Sequence, residues 1–116
     1  MEIRTHKYAG LAYPLVEKVK NSDVEAKYRT LALNFPTMIM QAGLAQAIGF
    51  LKAKGKDEHT LLLQHIETVL KINDLHVKTI KSNISEYQLL TRQAIEAASW
   101  LKRYTQALLD KNKAGA

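Results

Sequence analysis

The chain contains no cysteine among its 116 residues, so disulfide bonds, thiolate metal ligands and cysteine nucleophiles are excluded. Proline and glycine are also scarce: two prolines and five glycines interrupt the sequence. No segment alternates β-branched with polar residues over the length of a strand. Together these absences predict an all-α protein.

Charge is missing from residues 30–51, a run of 22 positions that is followed at once by a burst of lysines. A run of this length could cross a bilayer, but Asn34, Gln41 and Gln46 would then lie in hydrocarbon. We therefore expect buried core helices and no membrane span. The first residues lack the apolar core of a signal peptide, so the sequence predicts a soluble, cytoplasmic protein.

The net charge of +6 is clustered: residues 1–20, 71–81 and 100–113 carry +2, +2 and +3. An excess of this sign favours anionic partners. Nucleic acid is the first candidate, and an acidic protein or a membrane surface is the second.

The length predicts one domain, residues 1–116, built as a compact helical bundle of about five helices. A first helix is expected over residues 3–20, with a kink or a later start at Pro14. Ser22 and Glu25 have the spacing of a capping box before a second helix. Pro36 is expected either to end that helix near Asn34 or to bend it into a third over residues 36–54, which is capped by Gly55.

Asp57 is predicted to cap a fourth helix over residues 58–71, and residues 72–84 read as a connection with one short helical turn. Ser85 and Gln88 have capping-box spacing before the last helix, and the tail 111–116 is expected to be frayed. The last helix carries one apolar stripe over six turns, formed by Tyr87, Leu90, Ala94, Ala97, Leu101, Tyr104 and Leu108.

No arrangement of residues points to catalysis. No two of the four histidines are three or four residues apart, which argues against a metal site. No close pair of carboxylates has the isolation that a general acid and base would need, and no glycine-rich phosphate loop or nucleophile elbow is present. We therefore predict no catalytic residue, no metal, no cofactor and no small-molecule substrate.

Two blocks of the sequence resemble a known family. Residues 28–56 contain a tyrosine and arginine, a proline, a Met-Ile pair, a Gln-x-Gly-Leu core and a Phe-Leu-Lys ending. Residues 87–109 contain Leu-Thr-Arg followed by Trp-Leu-Lys-Arg-Tyr. In order and spacing the blocks resemble the small helical subunit of type III-B CRISPR–Cas effector complexes, the Cmr family. Ala42 departs from the pattern, since the family often has Asn before the glycine.

The resemblance implies a non-catalytic subunit that stacks in several copies, contacts the other subunits of the complex and holds target RNA along the guide–target duplex. Within the matched blocks, basic residues are the candidates for RNA binding: Arg29, Lys52, Lys54, Arg92, Lys102 and Arg103. The lysines at 52 and 54 also have a structural explanation, because cations stabilise a helix C-terminus.

Two other interpretations remain open from the sequence. The chain could serve as the small subunit of a related type III-A complex, which is also helical and basic. It could alternatively be a basic helical adaptor for an acidic protein or a membrane surface, without RNA.

Overall fold

A computed structural model describes residues 4–110, and within that range the backbone forms six α-helices and no β-strand. They are α1 (Arg4–Glu17), α2 (Glu25–Ala42), α3 (Leu44–Lys54), α4 (Asp57–Leu70), α5 (Leu75–Lys81) and α6 (Ile84–Leu108). The predicted all-α fold is confirmed. The helix beyond the expected five is α5, which occupies the segment predicted as a connection. The expectation for residues 111–116 lies outside the described range.

The longest helix, α6, forms the centre of the bundle, and α1 and α2 pack on it most extensively. Leu90, Ala94, Ala97 and Leu101 are buried along its inner stripe. The other members of the predicted stripe are partly buried against the same core. The spacing of the apolar residues therefore predicted the inner face of α6 correctly.

The start of α6 differs from the prediction. Asn83 Oδ1 accepts from the backbone N–H of Glu86 at 2.8 Å, and Glu86 Oε1 accepts from the N–H of Asn83 at 2.9 Å. This is a capping box. Ser85 and Gln88 were the wrong pair, because the same three-residue spacing occurs two positions earlier with Asn, an equally good N-cap residue.

Pro36 does not end α2, and the predicted third helix over residues 36–54 was therefore wrong in its start. The proline is buried in the helix interior, with Phe35 and Ile39 also buried against the core. A proline inside a helix costs about 3 kcal/mol. The large buried side chains on either side supply packing that offsets this cost.

The break between α2 and α3 lies at Gly43, whose φ of 91° and ψ of 154° are essentially restricted to glycine. The side chain of Tyr87, from the first turn of α6, closes this break. Its hydroxyl accepts from the N–H of Ala45 at 3.0 Å. One of the unpaired N–H groups at the start of α3 is thereby satisfied.

The buried carboxylate of Glu25 joins the start of α2 to the end of α6. Its Oε1 accepts from the N–H of Asn21 at 3.1 Å and its Oε2 from the N–H of Asp110 at 3.0 Å. Glu25 is 1% exposed. The predicted capping box of Ser22 and Glu25 was therefore wrong, since the Ser22 hydroxyl donates instead to the Val19 carbonyl.

A buried pair of side chains, Tyr28 and His65, connects α2 with α4. The hydroxyl of Tyr28 lies 2.7 Å from His65 Nδ1. Burial lowers the pKa of His65 to about 4 and raises the pKa of Tyr28 well above its ordinary value. Both groups are therefore neutral at physiological pH.

The remaining helix ends follow local chemistry. α1 continues through the exposed Pro14. Gly55 ends α3 in the left-handed region, with φ of 60°, as predicted. Asp57 is the first residue of α4 rather than its cap. Asp74 caps α5 by accepting from the N–H of Val77 at 3.2 Å.

The uncharged run is divided between α2 and α3, and its apolar side chains enter the core. Gln41 and Gln46 are exposed. Across residues 4–110, no helix has both the length and the apolar character needed to span a membrane.

Candidate nucleic-acid interface

The predicted lysines at the end of α3 face solvent. Lys52 and Lys54 lie in the last turn and are exposed, and Gly55 closes the helix by donating to the Leu51 carbonyl at 3.1 Å. The ammonium of Lys54 lies 5.9 Å from the centre of the Phe50 ring, within cation–π range. The end of α3 therefore presents positive charge on an ordered surface.

A second predicted pair, Lys102 and Arg103, lies in the C-terminal half of α6. Arg103 is exposed and Lys102 is half-buried. Adjacent helical residues project about 100° apart, so the two cations point to different sides of α6.

The aromatic residues beside this pair serve packing. The rings of Trp100 and Tyr104 stack at 5.6 Å between centres, and Tyr13 of α1 meets Tyr104 edge-on at 5.2 Å. This three-ring cluster joins α1 to α6. The contacts of Tyr104 agree with its place on the apolar stripe predicted from the sequence.

The last two predicted residues, Arg92 and Arg29, differ in environment. Arg92 is exposed on the outer face of α6, one turn before Glu96. Arg29 is half-buried on α2, and its Nε is sheltered from solvent without a hydrogen-bond partner. The six predicted residues therefore belong to three different helices, α2, α3 and α6.

A groove that the sequence analysis did not identify lies between α2 and the turn that joins α3 to α4. It encloses about 520 Å³. Its lining residues come from both sides: Lys27, Thr30, Leu31, Asn34, Met38, Lys56, Glu58 and His59.

The sequence contained one signal for the α2 wall of this groove. Lys27, Thr30 and Asn34 are spaced three and four residues apart, which places them on one helix face. Arg29 is two residues from Lys27 and projects about 200° around α2, away from the groove. Lys56 and His59 belong to another element, and no periodicity in the sequence relates them to α2.

His59 connects the groove with the end of α3. It is 9% exposed, and its ring meets Phe50 edge-on at 5.5 Å between centres. Since Lys54 lies over the same Phe50 ring, the lysines of α3 and the groove are neighbours. Glu58 Oε2 lies 3.5 Å from His59 Nδ1, which no hydrogen bond satisfies.

The geometry offers positive charge, hydrogen-bonding groups and a partly apolar floor to an extended anionic ligand. Among the side chains of the described residues, no three histidine, aspartate or glutamate groups lie close enough together to hold a metal ion.

Comparisons with known proteins give a consistent result. The CRISPR-associated protein family Cas_Cmr5 matches residues 4–108. The chain is 33% identical over 114 residues to the CRISPR system Cmr subunit Cmr5 of Thermus thermophilus, covering 96% of this chain and all of that protein. The crystal structure of a CRISPR-associated Cmr5 family protein, also from Thermus thermophilus, superimposes with a TM-score of 0.90. That match has 34% identity and covers 95% of this chain and all of the other.

Proposed function

The chain belongs to the CRISPR-associated Cmr5 family, and we propose that it is a non-catalytic small subunit of a type III-B CRISPR RNA-guided effector complex. In this proposal several copies stack within the complex, contact its other subunits and help to hold target RNA along the guide–target duplex. The complex would work in the cytoplasm in defence against viruses. Sequence specificity belongs to the guide RNA, and cleavage belongs to another subunit.

The observation that carries the RNA contact is the exposed positive charge at the end of α3. Neither Lys52 nor Lys54 forms an ion pair with a carboxylate of the described residues. The side chains therefore remain available to phosphate. Their charge also stabilises the end of α3, but that effect is worth only about 0.3–1 kcal/mol at an exposed site.

The cations of α6 form the second part of the proposed surface. Arg103 and Arg92 are exposed, and Lys102 is half-buried, with a long aliphatic stem that can carry its charge to the surface. Arg29 is the least accessible of the proposed set because its Nε is sheltered. Contacts of this kind reach phosphate oxygens and carry no base preference, as expected for a subunit that holds any target chosen by the guide.

The proposal is tested by reversing two charges, Lys52→Glu and Lys102→Glu, in a reconstituted complex. We expect weaker retention of target RNA on a filter or gel. The free energy of unfolding of the purified double variant should change by no more than about 2 kcal/mol, since the reversal at Lys52 removes one favourable helix-dipole interaction and adds one unfavourable interaction of similar size.

A matched control reverses two exposed lysines outside the proposed surface, Lys18→Glu and Lys81→Glu. It makes the same change in net charge and should leave retention near the wild-type value. Equal retention by the test variant, the control variant and the wild type would contradict the assignment of Lys52 and Lys102.

The adaptor interpretation makes a different prediction for the purified chain. RNA binding through phosphates weakens steeply as salt is raised, because neutralised phosphates release counterions. Absent or salt-independent binding would favour a basic adaptor for an acidic protein or a membrane surface.

A further inference from the structure

We propose that the groove between α2 and the α3–α4 turn binds the sugar–phosphate backbone of a single RNA strand, with Lys27 and Lys56 contacting its phosphates. This inference rests on the proposed function and adds a surface to it, since neither lysine belongs to the set predicted from the sequence. We call this surface the α2–α4 groove, defined by the lining residues given above.

The two lysines approach the α2–α4 groove from different elements. Lys27 lies in the first turn of α2, and Lys56 immediately precedes α4. Both are exposed, and neither forms an ion pair with a carboxylate of residues 6–110. Two cations on opposite walls can neutralise neighbouring phosphates of one strand that runs between them.

The carboxylate that lines the groove does not compete directly for these lysines. Glu58 is 8% exposed, and its Oε2 is directed at His59 Nδ1, 3.5 Å away. The repulsion between Glu58 and a bound phosphate is therefore reduced by its burial and its orientation.

The floor and wall of the groove carry polar groups suited to a ribose. Asn34 Nδ2 donates to the Thr30 carbonyl at 2.9 Å, which fixes the amide and leaves Asn34 Oδ1 as an acceptor. A ribose 2′-hydroxyl is a donor that can use such an acceptor. Leu31 and Met38 supply the apolar part of the floor.

The groove is also continuous with the proposed RNA surface at the end of α3. The Phe50 ring contacts both His59 and Lys54. The α3 lysines and the α2–α4 groove are therefore neighbours that one RNA strand can contact together.

The first experiment measures the binding of a fluorescently labelled, single-stranded RNA of mixed sequence to the purified full chain by anisotropy, over a series of salt concentrations. The test variant carries Lys27→Gln and Lys56→Gln, and the control carries Lys18→Gln and Lys81→Gln. The logarithm of the association constant falls as the logarithm of the salt concentration rises, and each phosphate contact to a single strand contributes about 0.7 to the steepness of this fall. Loss of two contacts should therefore make the slope shallower by about 1.4. The control should keep the wild-type slope.

A second experiment uses the absence of cysteine in the chain. Asn34→Cys provides one thiol in the groove for a benzophenone maleimide, and Thr68→Cys provides one at an exposed position of α4 outside both proposed RNA surfaces. Irradiation with the RNA should crosslink the Asn34→Cys protein in preference to the Thr68→Cys protein.

The outcomes separate this inference from the function on which it rests. If the groove pair and the control pair weaken binding equally, or if the two thiols crosslink equally, the α2–α4 groove is not the RNA site and the proposed function still stands. If the wild type shows no salt-dependent RNA binding, the groove inference is wrong, and the proposed function is then decided by the reconstituted complex. A reduced slope confined to the groove pair, with crosslinking at position 34, supports the groove.

Discussion

Lowering the pH should destabilise the fold through His65, which is buried and neutral beside Tyr28. The pKa of this imidazole falls from 6.5 to about 4 on folding because burial disfavours the charged form. The unfolded chain, with its ordinary pKa, therefore binds more protons than the folded chain between these values. His65 therefore does not reduce the free energy of unfolding above about pH 6.5, and it reduces that free energy progressively as the pH falls from about 6.5 towards about 4.

The size of the effect follows from the shift. One pKa unit corresponds to about 1.4 kcal/mol, so the change from 6.5 to about 4 makes His65 responsible for a loss of about 3 kcal/mol. This is a large part of the stability of a small domain, which is typically about 5–15 kcal/mol.

The assay is urea denaturation followed by far-UV circular dichroism at a series of pH values. The wild type is compared with His65→Gln, whose amide can still bond to the Tyr28 hydroxyl but does not titrate. The free energy of unfolding of the wild type should fall by about 3 kcal/mol more than that of the variant over this pH window.

A second variant, Tyr28→Phe, separates burial from hydrogen bonding. It removes the hydroxyl that lies 2.7 Å from His65 Nδ1 and should cost about 1–3 kcal/mol at neutral pH. The steep pH dependence should persist, because burial is the cause of the shift. If wild type and His65→Gln lose stability in parallel as the pH falls, the reasoning about His65 is refuted.

Three further predictions concern single sites, each measured as a change in the urea unfolding free energy. Gly43→Ala should cost about 1–3 kcal/mol, because φ is 91° there; an unchanged midpoint would show that the turn relaxes. Asn83→Ala removes the cap of α6 and should cost about 1 kcal/mol, whereas Ser85→Ala should cost little; the reverse order would contradict the observed capping box. Phe35→Ala empties a site that is 1% exposed and should cost about 3–5 kcal/mol; a loss below about 1 kcal/mol would contradict its place in the core.

Periodicity was sufficient to predict the inner face of α6, because seven apolar residues repeat at helical spacing and most of them are buried. The helix boundaries were less predictable. Pro36 is a strong local signal for a helix end, but the core contacts of its neighbours outweigh it. Gly43, where the chain does break, has a conformation that its neighbours in sequence do not reveal.

The proposed RNA surface was predictable only in part. The lysines at the end of α3 could be identified because they follow an uncharged run. The α2–α4 groove could not, because Lys27 and Lys56 are brought together by the packing of α4 against α2. The hydrogen bond between Tyr28 and His65, 37 positions apart, is one of the contacts that determine this packing.

The most direct test of the proposed function is native purification of the tagged chain from its own cells under mild salt. The bound proteins are then identified and the bound RNA is sequenced. Our account predicts a large assembly that contains other Cmr subunits, several copies of this chain and guide RNA derived from CRISPR repeats. Recovery of the chain alone, or with unrelated proteins and no guide RNA, would contradict it.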